Sequence, residues 1–335
     1  MPFTKELEAL YNAFRTAGIQ CEQNHPMAEH TSFKIGGPAA LCAWPSGKGQ
    51  LVEALSLWRK LGGKCPLCVL GRASNVLFPD EGYRGLVILT THAKRVVFEE
   101  DMAPDRQEFR ESNVFCKVYA ECGASLIALS TACGSHDRGL SGLEFACGIP
   151  GTVGGATVMN AGAYGSDIER IIISAEYYDL SNGRTVTLTD EEMELDYRHS
   201  IFLEHPEWIV LSSVFKLSYG YPEDIRLQME KNTAARKSSQ PYKEPSAGSV
   251  FKRPARDFAA HMVDVVGMKG VSVGGAQVST KHAGFIINTG NATAADVIAL
   301  VRIVRDAVEK VYNCRLQCEI RLISDGIDPT KVSEW

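Results

Sequence analysis

Long hydrophobic runs are missing from this chain of 335 residues. No stretch approaches the run of about 18 apolar residues that a membrane-spanning helix needs. The first residues carry Glu6 and Glu8 and lack a basic region followed by an apolar run, so we expect no signal peptide. These absences predict a cytoplasmic protein that does not enter a membrane.

An excess of positive charge is also missing. Lys and Arg number 35 against 40 Asp and Glu, which gives a net charge of −5. We therefore expect no general surface for nucleic acid or an anionic membrane, and any anion site must be local. The chain also lacks G-x-x-x-x-G-K-[ST], and no G-x-G-x-x-G opens a helix after a strand. These absences argue against a kinase and against a Rossmann-type dehydrogenase.

Cysteine, by contrast, is plentiful, with ten residues. Cys65 and Cys68 form a C-x-x-C pair, Cys314 and Cys318 form a C-x3-C pair, and the four could be drawn as zinc ligands. The first pair brackets a proline just before an apolar strand, and no histidine has zinc-finger spacing. We therefore favour buried, reduced thiols and predict no metal site.

Glycine is concentrated in residues 142–165, GLEFACGIPGTVGGATVMNAGAYG, where it makes up seven of 24 positions. Glu144 is the only formal charge in this segment, which is too apolar for a solvated linker and too rich in glycine for an ordinary helix. Clustered glycines let the backbone approach a ligand and line up N–H groups as donors. The segment therefore predicts a cradle for a phosphate or a flat ring.

A second candidate loop, GRASN at residues 71–75, directly follows the short apolar run 67–70. It offers several N–H groups, a hydroxyl and an amide within five residues, which suits a pyrophosphate. On spacing alone, an ordinary turn remains an equal alternative.

Apolar periodicity predicts a mixed α+β chain. The predicted helices cover 3–18, 50–61, 125–133, 223–237, 258–265 and 294–312. The predicted strands cover 67–70, 83–97, 113–120, 171–180, 185–188, 208–217, 271–278, 285–288 and 316–323, with a charged, exposed loop over 99–111. Breaks near 90–93 and 219–222 divide the chain into subdomains 1–91 and 92–220, a domain 221–325 and a tail 326–335.

Seven segments, in order over nearly the whole chain, together resemble one family. They are TSFKIGGPA, LGRASNVLFPD, the glycine-rich segment, YRHSIF, PSAGSVFKRP, GGAQVSTKHAGFIIN and LQCEIRLI. This set is similar to the bacterial UDP-N-acetylenolpyruvoylglucosamine reductases, flavoenzymes of peptidoglycan precursor synthesis. Each segment alone is weak evidence, whereas seven in order are specific.

The resemblance implies a two-subdomain FAD-binding fold of the vanillyl-alcohol-oxidase (PCMH) type, followed by a C-terminal α+β substrate-binding domain. The implied cofactor is FAD, held by both loops and by the residues that follow the second. The implied FAD contacts are Gly71, Arg72, Ala73, Ser74, Asn75, Gly148, Ile149, Pro150, Gly151, Gly154, Gly155, Asn160, Ala161 and Gly162.

The implied reaction reduces an enolpyruvyl ether to a D-lactyl ether. NADPH gives hydride to flavin N5, and the substrate then takes that hydride at its terminal vinyl carbon. The implied catalytic residues are Ser249 as proton donor, with Arg198 and Glu319 as stabilisers of the enolate-like intermediate. An arginine fork suits a carboxylate and an enolate. Without the resemblance, Arg198 and Glu319 fit structural ion pairs, and Ser249 fits a turn cap.

The resemblance also implies substrate contacts at Tyr197, Lys237, Gly248, Arg253 and His282. Alone, Lys237 fits the charged end of a helix, and a lone histidine is more often structural. FKRP replaces the family's FKNP, so Arg253 stands where relatives carry an asparagine. Only 24 residues separate Ser249 from Gly274, which indicates the shorter subgroup without a long tyrosine-bearing loop.

Two rival functions remain at the level of sequence. Another FAD-dependent oxidoreductase of the same flavin fold, acting on a different alcohol or sugar, would share both loops but would not need the three catalytic residues together. A non-catalytic protein that binds a UDP-sugar would not be yellow. We expect small-molecule substrates, no nucleic-acid or membrane partner, and a monomer.

Overall fold

The computed structural model describes residues 3–99 and 114–323. The first sheet has the order β1-β2-β5-β3, in which β2, β5 and β3 are parallel and β1 is antiparallel to β2. The elements of this part are α1 (Lys5–Thr16), β1 (Gln20–Pro26), β2 (Pro38–Trp44), α2 (Lys48–Leu61), β3 (Leu67–Leu70), β4 (Val76–Leu77) and β5 (Tyr83–Leu89). Helix α1 buries Leu7, Leu10 and Phe14, spaced three and four residues apart, as its periodicity predicts.

The second sheet is antiparallel, with the order β12-β11-β13-β7-β6 and with β8 paired to the end of β13. The elements are β6 (Val96–Glu99), β7 (Phe115–Glu121), α3 (Leu126–Gly134), β8 (Leu140–Ser141), α4 (Val153–Val158), β9 (Gly162–Ala163), β10 (Ser166–Asp167), β11 (Ile172–Asp179), β12 (Arg184–Thr189) and β13 (Trp208–Tyr219). Strands β9 and β10 form a separate hairpin beside the sheet.

The C-terminal part contains a small antiparallel sheet, β14-β15-β16, covered by a long helix. The elements are α5 (Pro222–Ser239), α6 (Ala259–Val265), β14 (Ser272–Val273), β15 (Ala276–Val278), β16 (Ile286–Asn288), α7 (Ala294–Tyr312) and β17 (Arg321–Leu322). Thr293 and Asp296 form a capping box at the start of α7. Helix α5 instead lies against the second sheet region, where the Asn232 amide donates to the carbonyl of Glu144.

Buried apolar side chains form three clusters, and one of them joins the C-terminal part to the first sheet. One cluster of buried side chains spans the first and second sheets, and a second one fills the C-terminal part. Strand β17 pairs in parallel with β4, and Ile323 is buried in a third, smaller cluster with residues of the first sheet. The last described segment therefore returns to the beginning of the chain.

The predicted elements and the structure differ at several places. Residues 316–323 were predicted as one strand, but only Arg321–Leu322 pairs, because the segment first bonds to Val250 and then turns to β4. The predicted strand 83–97 is interrupted by a turn at Thr90–His92. The short helix α4, within residues 142–165, was not predicted. The edge strand β1 was not predicted either, because its residues are polar and show no apolar alternation.

Most of the predicted exposed loop 99–111 lies outside the described residues. The predicted division at 91/92 falls within the Thr90–His92 turn, and that at 220/221 falls between β13 and α5; both stay predictions, as does the tail. No helix among the described residues has the length and apolar content needed to cross a bilayer.

Candidate active site

A cleft of about 900 Å³ lies where the first sheet, the second sheet region and the C-terminal part meet. Both predicted cofactor loops line it, and so do Arg198, Ser249 and Glu319, the three predicted catalytic residues. A cleft of this volume is large enough for a cofactor-sized ligand. The structure therefore brings most of the predicted cofactor residues and the three predicted catalytic residues to one place.

The first loop, residues 71–75, exposes backbone donors to the cleft. Ala73 adopts a left-handed conformation with φ of +47°, which turns successive N–H groups toward one side. Within the described part of the chain, the N–H groups of Ala73 and Ser74 donate to no acceptor. These two donors fit an anionic group such as a diphosphate.

The second loop contacts the first through Gly71, where a Cβ atom would collide with the Thr152 side chain. Its glycines have different surroundings. A Cβ on Gly154 would meet Cys122, whereas one on Gly151 would have no atom within 4 Å. Because Gly151 lines the cleft, its backbone is open to close approach by a ligand. This opening fits the predicted FAD cradle.

Arg198 and Glu319 form a close pair in the cleft. Nε of Arg198 donates to Oε1 of Glu319 at 2.7 Å, and both side chains are largely buried. Burial raises the pKa of the Glu319 carboxyl above its usual value, while the charge of Arg198 and its hydrogen bond act in the opposite direction. The pair therefore supplies a fixed cation beside a carboxyl that is biased toward its protonated form.

Ser249 reaches the cleft on a segment that runs beside Glu319. Gly248 precedes it with φ of +81°, and Ser249 forms an isolated antiparallel bridge with Phe285, another residue of the cleft. The next residue, Val250, accepts a backbone hydrogen bond from Glu319 at 2.7 Å. This backbone contact sets the hydroxyl-bearing residue beside the carboxyl-bearing one.

Two asparagines predicted to contact the cofactor have side chains bonded elsewhere. The Asn75 amide donates to the backbone carbonyl of Glu319 at 3.1 Å. The Asn160 amide donates to the carbonyl of Asp196 at 2.9 Å, and Asn160 is only 2% exposed and does not line the cleft. Their predicted contacts with FAD stay predictions, and the amides themselves hold parts of the protein.

The predicted cofactor residues otherwise divide into two groups. Those that line the cleft are Gly71, Arg72, Ala73, Ser74, Asn75, Ile149, Pro150, Gly151, Gly154, Gly155, Ala161 and Gly162. Gly148 does not line it, and lies against the side chain of Arg236.

Of the predicted substrate residues, only Gly248 lines the cleft. Tyr197, Lys237 and Arg253 are exposed, and the Tyr197 hydroxyl accepts from the Arg253 N–H at 3.4 Å. The His282 ring packs edge-on against Phe285, and burial lowers its pKa. None of these four residues lines the cleft, and their substrate contacts stay predictions.

Sequence reasoning missed Arg236, which lines the cleft from the last turn of α5. Burial lowers the pKa of its guanidinium. Within residues 3–99 and 114–323, the guanidinium makes no ion pair and donates no hydrogen bond. An unpaired cation facing a cleft suits an anionic ligand. Its place next to Lys237, at the end of a charged helix, was the available signal.

The ten cysteines are free thiols. Cys65 and Cys318 belong to different apolar clusters, and the described residues contain no group of three His, Cys, Asp or Glu side chains suited to a metal ion. Burial raises the pKa of the Cys318 thiol to about 11 and that of Cys68 to about 12. The alternative zinc site therefore has no support in the described part of the chain.

Comparison with known proteins identifies the family. Residues 39–189 match the family described as FAD binding domain, and residues 240–323 match the C-terminal domain of UDP-N-acetylenolpyruvoylglucosamine reductase. The reductase of that name from Geobacillus kaustophilus is 42% identical over 303 residues, which cover 90% of this chain and 93% of that protein. The chain belongs to the UDP-N-acetylenolpyruvoylglucosamine reductase family.

Other members of the reductase family support the same conclusion. The reductase of Caldanaerobacter subterraneus subsp. tengcongensis is 41% identical over 302 residues, covering 90% of this chain and 93% of that protein. The crystal structure of the Thermus caldophilus reductase aligns with a TM-score of 0.70 and 30% identity, over 91% of this chain and 99% of that chain. The predicted fold class is confirmed, and this family member is an FAD-dependent oxidoreductase.

Proposed function

We propose that the chain reduces UDP-N-acetylglucosamine enolpyruvate to UDP-N-acetylmuramate, with NADPH as the electron donor, in peptidoglycan precursor synthesis. The observation that carries this proposal is the meeting of Arg198, Glu319 and Ser249 in the cleft that both cofactor loops line. An FAD enzyme for another alcohol or sugar has no evident need for this set. The names of the relatives support the substrate assignment.

The two cofactor loops would hold FAD through backbone donors, among them the N–H groups of Ala73 and Ser74. Arg236 adds a cation at the same cleft. A bound FAD would supply hydride chemistry at this cleft, with NADPH as the source and the terminal vinyl carbon of the substrate as the acceptor. The remaining steps depend on side chains of this chain.

Arg198 would stabilise the charge that develops on the substrate when hydride adds. The carbon that bears the carboxylate then carries enolate character, and a guanidinium fork binds two oxygens of such a group. The bond from Nε to Glu319 holds the guanidinium in place. Removing one preorganised donor of this kind typically costs about 3 kcal/mol of transition-state stabilisation. A protonated Glu319 would add a hydrogen bond to the same enolate.

Ser249 would complete the reduction by giving its hydroxyl proton to the carbon that bears the carboxylate. One hydride and one proton then add across the double bond, and NADPH becomes NADP⁺. Because serine is a weak acid, its alkoxide must recover a proton from a neighbouring group or from water. The short backbone link between Glu319 and Val250 sets the carboxyl close to the serine segment.

An anaerobic visible spectrum of the purified protein tests the proposal. We expect flavin absorbance that bleaches with NADPH and returns when UDP-N-acetylglucosamine enolpyruvate is added. Bleaching without recovery would contradict the substrate assignment and favour another FAD oxidoreductase. A protein without flavin absorbance would favour the UDP-sugar-binding alternative.

The Ser249→Ala variant tests the proton donor. We expect bleaching by NADPH to stay near normal, while reoxidation by the substrate slows by about 10²-fold to 10⁴-fold, because only the second half-reaction needs the proton. Ser238→Ala is a matched control, because Ser238 is exposed and bonds within its own helix. An equal loss of both half-reactions would show that Ser249 is structural.

Three further features belong to this proposal. The UDP-sugar would be bound beside the cleft by Tyr197, Lys237, Arg253 and His282. A cytoplasmic location agrees with NADPH as donor and with free thiols. A monomeric state is checked by light scattering of the purified holoenzyme.

A further inference from the structure

The Asn160 side chain is fully engaged behind the cleft. Its Nδ2 donates to the backbone carbonyl of Asp196 at 2.9 Å, and its Oδ1 accepts the backbone N–H of Glu169 at 3.0 Å. Asn160 is 2% exposed and has φ of +39°, a left-handed conformation that asparagine tolerates well. A longer contact joins the same Nδ2 to Oε2 of Glu169 at 3.5 Å. Both ends of the amide are therefore bonded within the protein.

The carbonyl that Asn160 holds belongs to the tight turn that carries Arg198. Asp196 and His199 exchange backbone hydrogen bonds at 3.2 and 3.0 Å across this turn. Arg198 itself has φ of +55°, which is an unfavourable conformation for a long side chain. Such a conformation persists only where the surroundings fix it, and the Asn160 amide is one of the groups that do so.

The backbone next to the same amide also holds the guanidinium. Nη1 of Arg198 lies 3.5 Å from the carbonyl of Asn160, and Nη2 donates to the carbonyl of Gly162 at 3.2 Å. Nε then points to Glu319. One short segment thus fixes both the backbone turn and the head group of Arg198, while Ala161 and Gly162 line the cleft from that segment.

We propose that Asn160 is a positioning residue for Arg198, and that its side chain acts on the second half-reaction by fixing the Asp196 turn. This inference rests on the proposed function, in which Arg198 stabilises the enolate. It differs from the sequence-based expectation that Asn160 contacts FAD. The predicted consequence is a selective effect on substrate-driven reoxidation.

The Asn160→Gly variant tests this role, because glycine keeps the left-handed backbone and removes the amide. A displacement of about 1 Å at a catalytic group can cost about 100-fold in rate. We expect reoxidation by the enolpyruvyl substrate to slow about 10-fold to 100-fold more than flavin reduction by NADPH does. Stopped-flow absorbance of the flavin measures both rates on the same holoenzyme.

The Asn160→Asp variant adds a readout that a merely structural role would not move. A protonated carboxyl is shaped like the amide, so it donates to the Asp196 carbonyl and accepts the Glu169 N–H. An ionised carboxylate cannot donate. Burial and the Glu169 carboxylate, 3.5 Å from Nδ2 of Asn160, raise the pKa of a carboxyl at this position, while the nearby guanidinium of Arg198 lowers it. We expect the reoxidation deficit, relative to wild type, to shrink as the pH falls. A deficit that does not change with pH would overturn the proposal.

Asn288 provides a matched control for both variants. It is also buried, its Nδ2 donates to the carbonyl of Phe33 at 3.1 Å, and its Oδ1 accepts the Gly290 N–H. It does not line the cleft, so we expect Asn288→Asp to affect both half-reactions equally at every pH.

The possible outcomes separate the two proposals. If wild-type flavin is bleached by NADPH but not restored by the substrate, the proposed function fails, and the inference fails with it. If wild type is restored and Asn160→Gly slows both half-reactions equally, or neither, only the role of Asn160 is overturned. If the glycine variant does not fold, the pH dependence of Asn160→Asp decides.

Discussion

At the scale of single residues, Glu319 is subject to opposing effects that decide its charge. Burial raises its pKa, and the guanidinium of Arg198, 2.7 Å away, lowers it. The pKa of Glu319 is therefore raised above the usual carboxyl value. Between the usual carboxyl pKa and this raised pKa, the folded protein binds more protons than the unfolded chain, so its stability falls as the pH rises through that window. The same rise in pH removes the protonated carboxyl from the cleft.

We therefore predict that reoxidation of the reduced flavin slows as the pH rises through the raised pKa of Glu319. The Glu319→Gln variant should lose this limb of the profile, because an amide does not titrate in that range. Stopped-flow reoxidation over a pH series measures it, with Glu309→Gln as a control, since Glu309 is half-buried on α7 and pairs with Arg315. An unchanged profile in Glu319→Gln would mean that another group causes the pH dependence.

At the scale of elements, the two cofactor loops are built to touch. Strand β3 ends at Leu70, and the loop after it approaches the second loop closely enough to leave no room for a Cβ on Gly71. Thr152, the residue it meets, is buried and caps α4 through the Gly155 N–H. The contact therefore joins the end of a strand in one subdomain to the start of a helix in the other.

We predict that Gly71→Ala lowers FAD content strongly, because the added methyl group forces the two loops apart. Absorbance of the purified variant, and its titration with FAD, measure this effect. Gly49→Ala is the control, since Gly49 lies in α2 with no atom within 4 Å of its Cβ position. There we expect full FAD content and a gain of about 0.5 to 1 kcal/mol in stability. Normal FAD affinity in Gly71→Ala would contradict the loop-contact argument.

A second contact between elements lies at the start of α7. Both carboxylate oxygens of Asp80, from the turn before β5, accept N–H groups of Ala294 and Ala295, at 2.7 and 3.1 Å. We predict that Asp80→Ala lowers the free energy of unfolding by about 1 kcal/mol, as the loss of a helix cap does. Urea denaturation measures it. The exposed neighbour Glu81 provides the control variant, Glu81→Ala. Equal stability of Asp80→Ala and Glu81→Ala would show that the contact contributes nothing.

At the scale of the whole molecule, the cleft depends on three parts of the chain at once. The first sheet supplies residues 71–75, the second sheet region supplies the glycine-rich loop, and the C-terminal part supplies Ser249 and Glu319. Strand β17 returns to β4 and places Glu319 two residues before that pairing. A ligand that fills the cleft would therefore contact parts of the chain that are distant in sequence.

We predict that FAD stabilises the whole fold, since it binds only where these parts are assembled. At free FAD about 100 times its Kd, the expected gain is about 2.7 kcal/mol. Urea denaturation of apoprotein and holoenzyme measures it. The gain should be smaller at the same FAD concentration in Gly71→Ala. An apoprotein as stable as the holoenzyme would contradict this expectation.

The local sequence pattern alone determined several helices and indicated the loops that line the cleft. The spacing of Val297, Leu300, Val301, Val304 and Val308 specified α7, and Thr293 specified its start, because helix periodicity and capping are short-range effects. Glycine density likewise indicated the loop within residues 142–165, since it reflects a backbone requirement, and the donors of residues 71–75 indicated the other loop. The resemblance of seven segments then indicated the family, which the comparisons confirm.

Only the tertiary structure decided which polar side chains meet. The Asn75 amide bonds to Glu319, 244 residues away, and the Asn160 amide bonds to Asp196, 36 residues away. Packing likewise places Arg236 in the cleft, and it makes residues 316–323 bond first to Val250 and then to β4. Each depends on how separate elements pack, and no local periodicity records that packing. The sequence alone therefore determined the loops and the family, and packing determined what holds Arg198 and Glu319 in place.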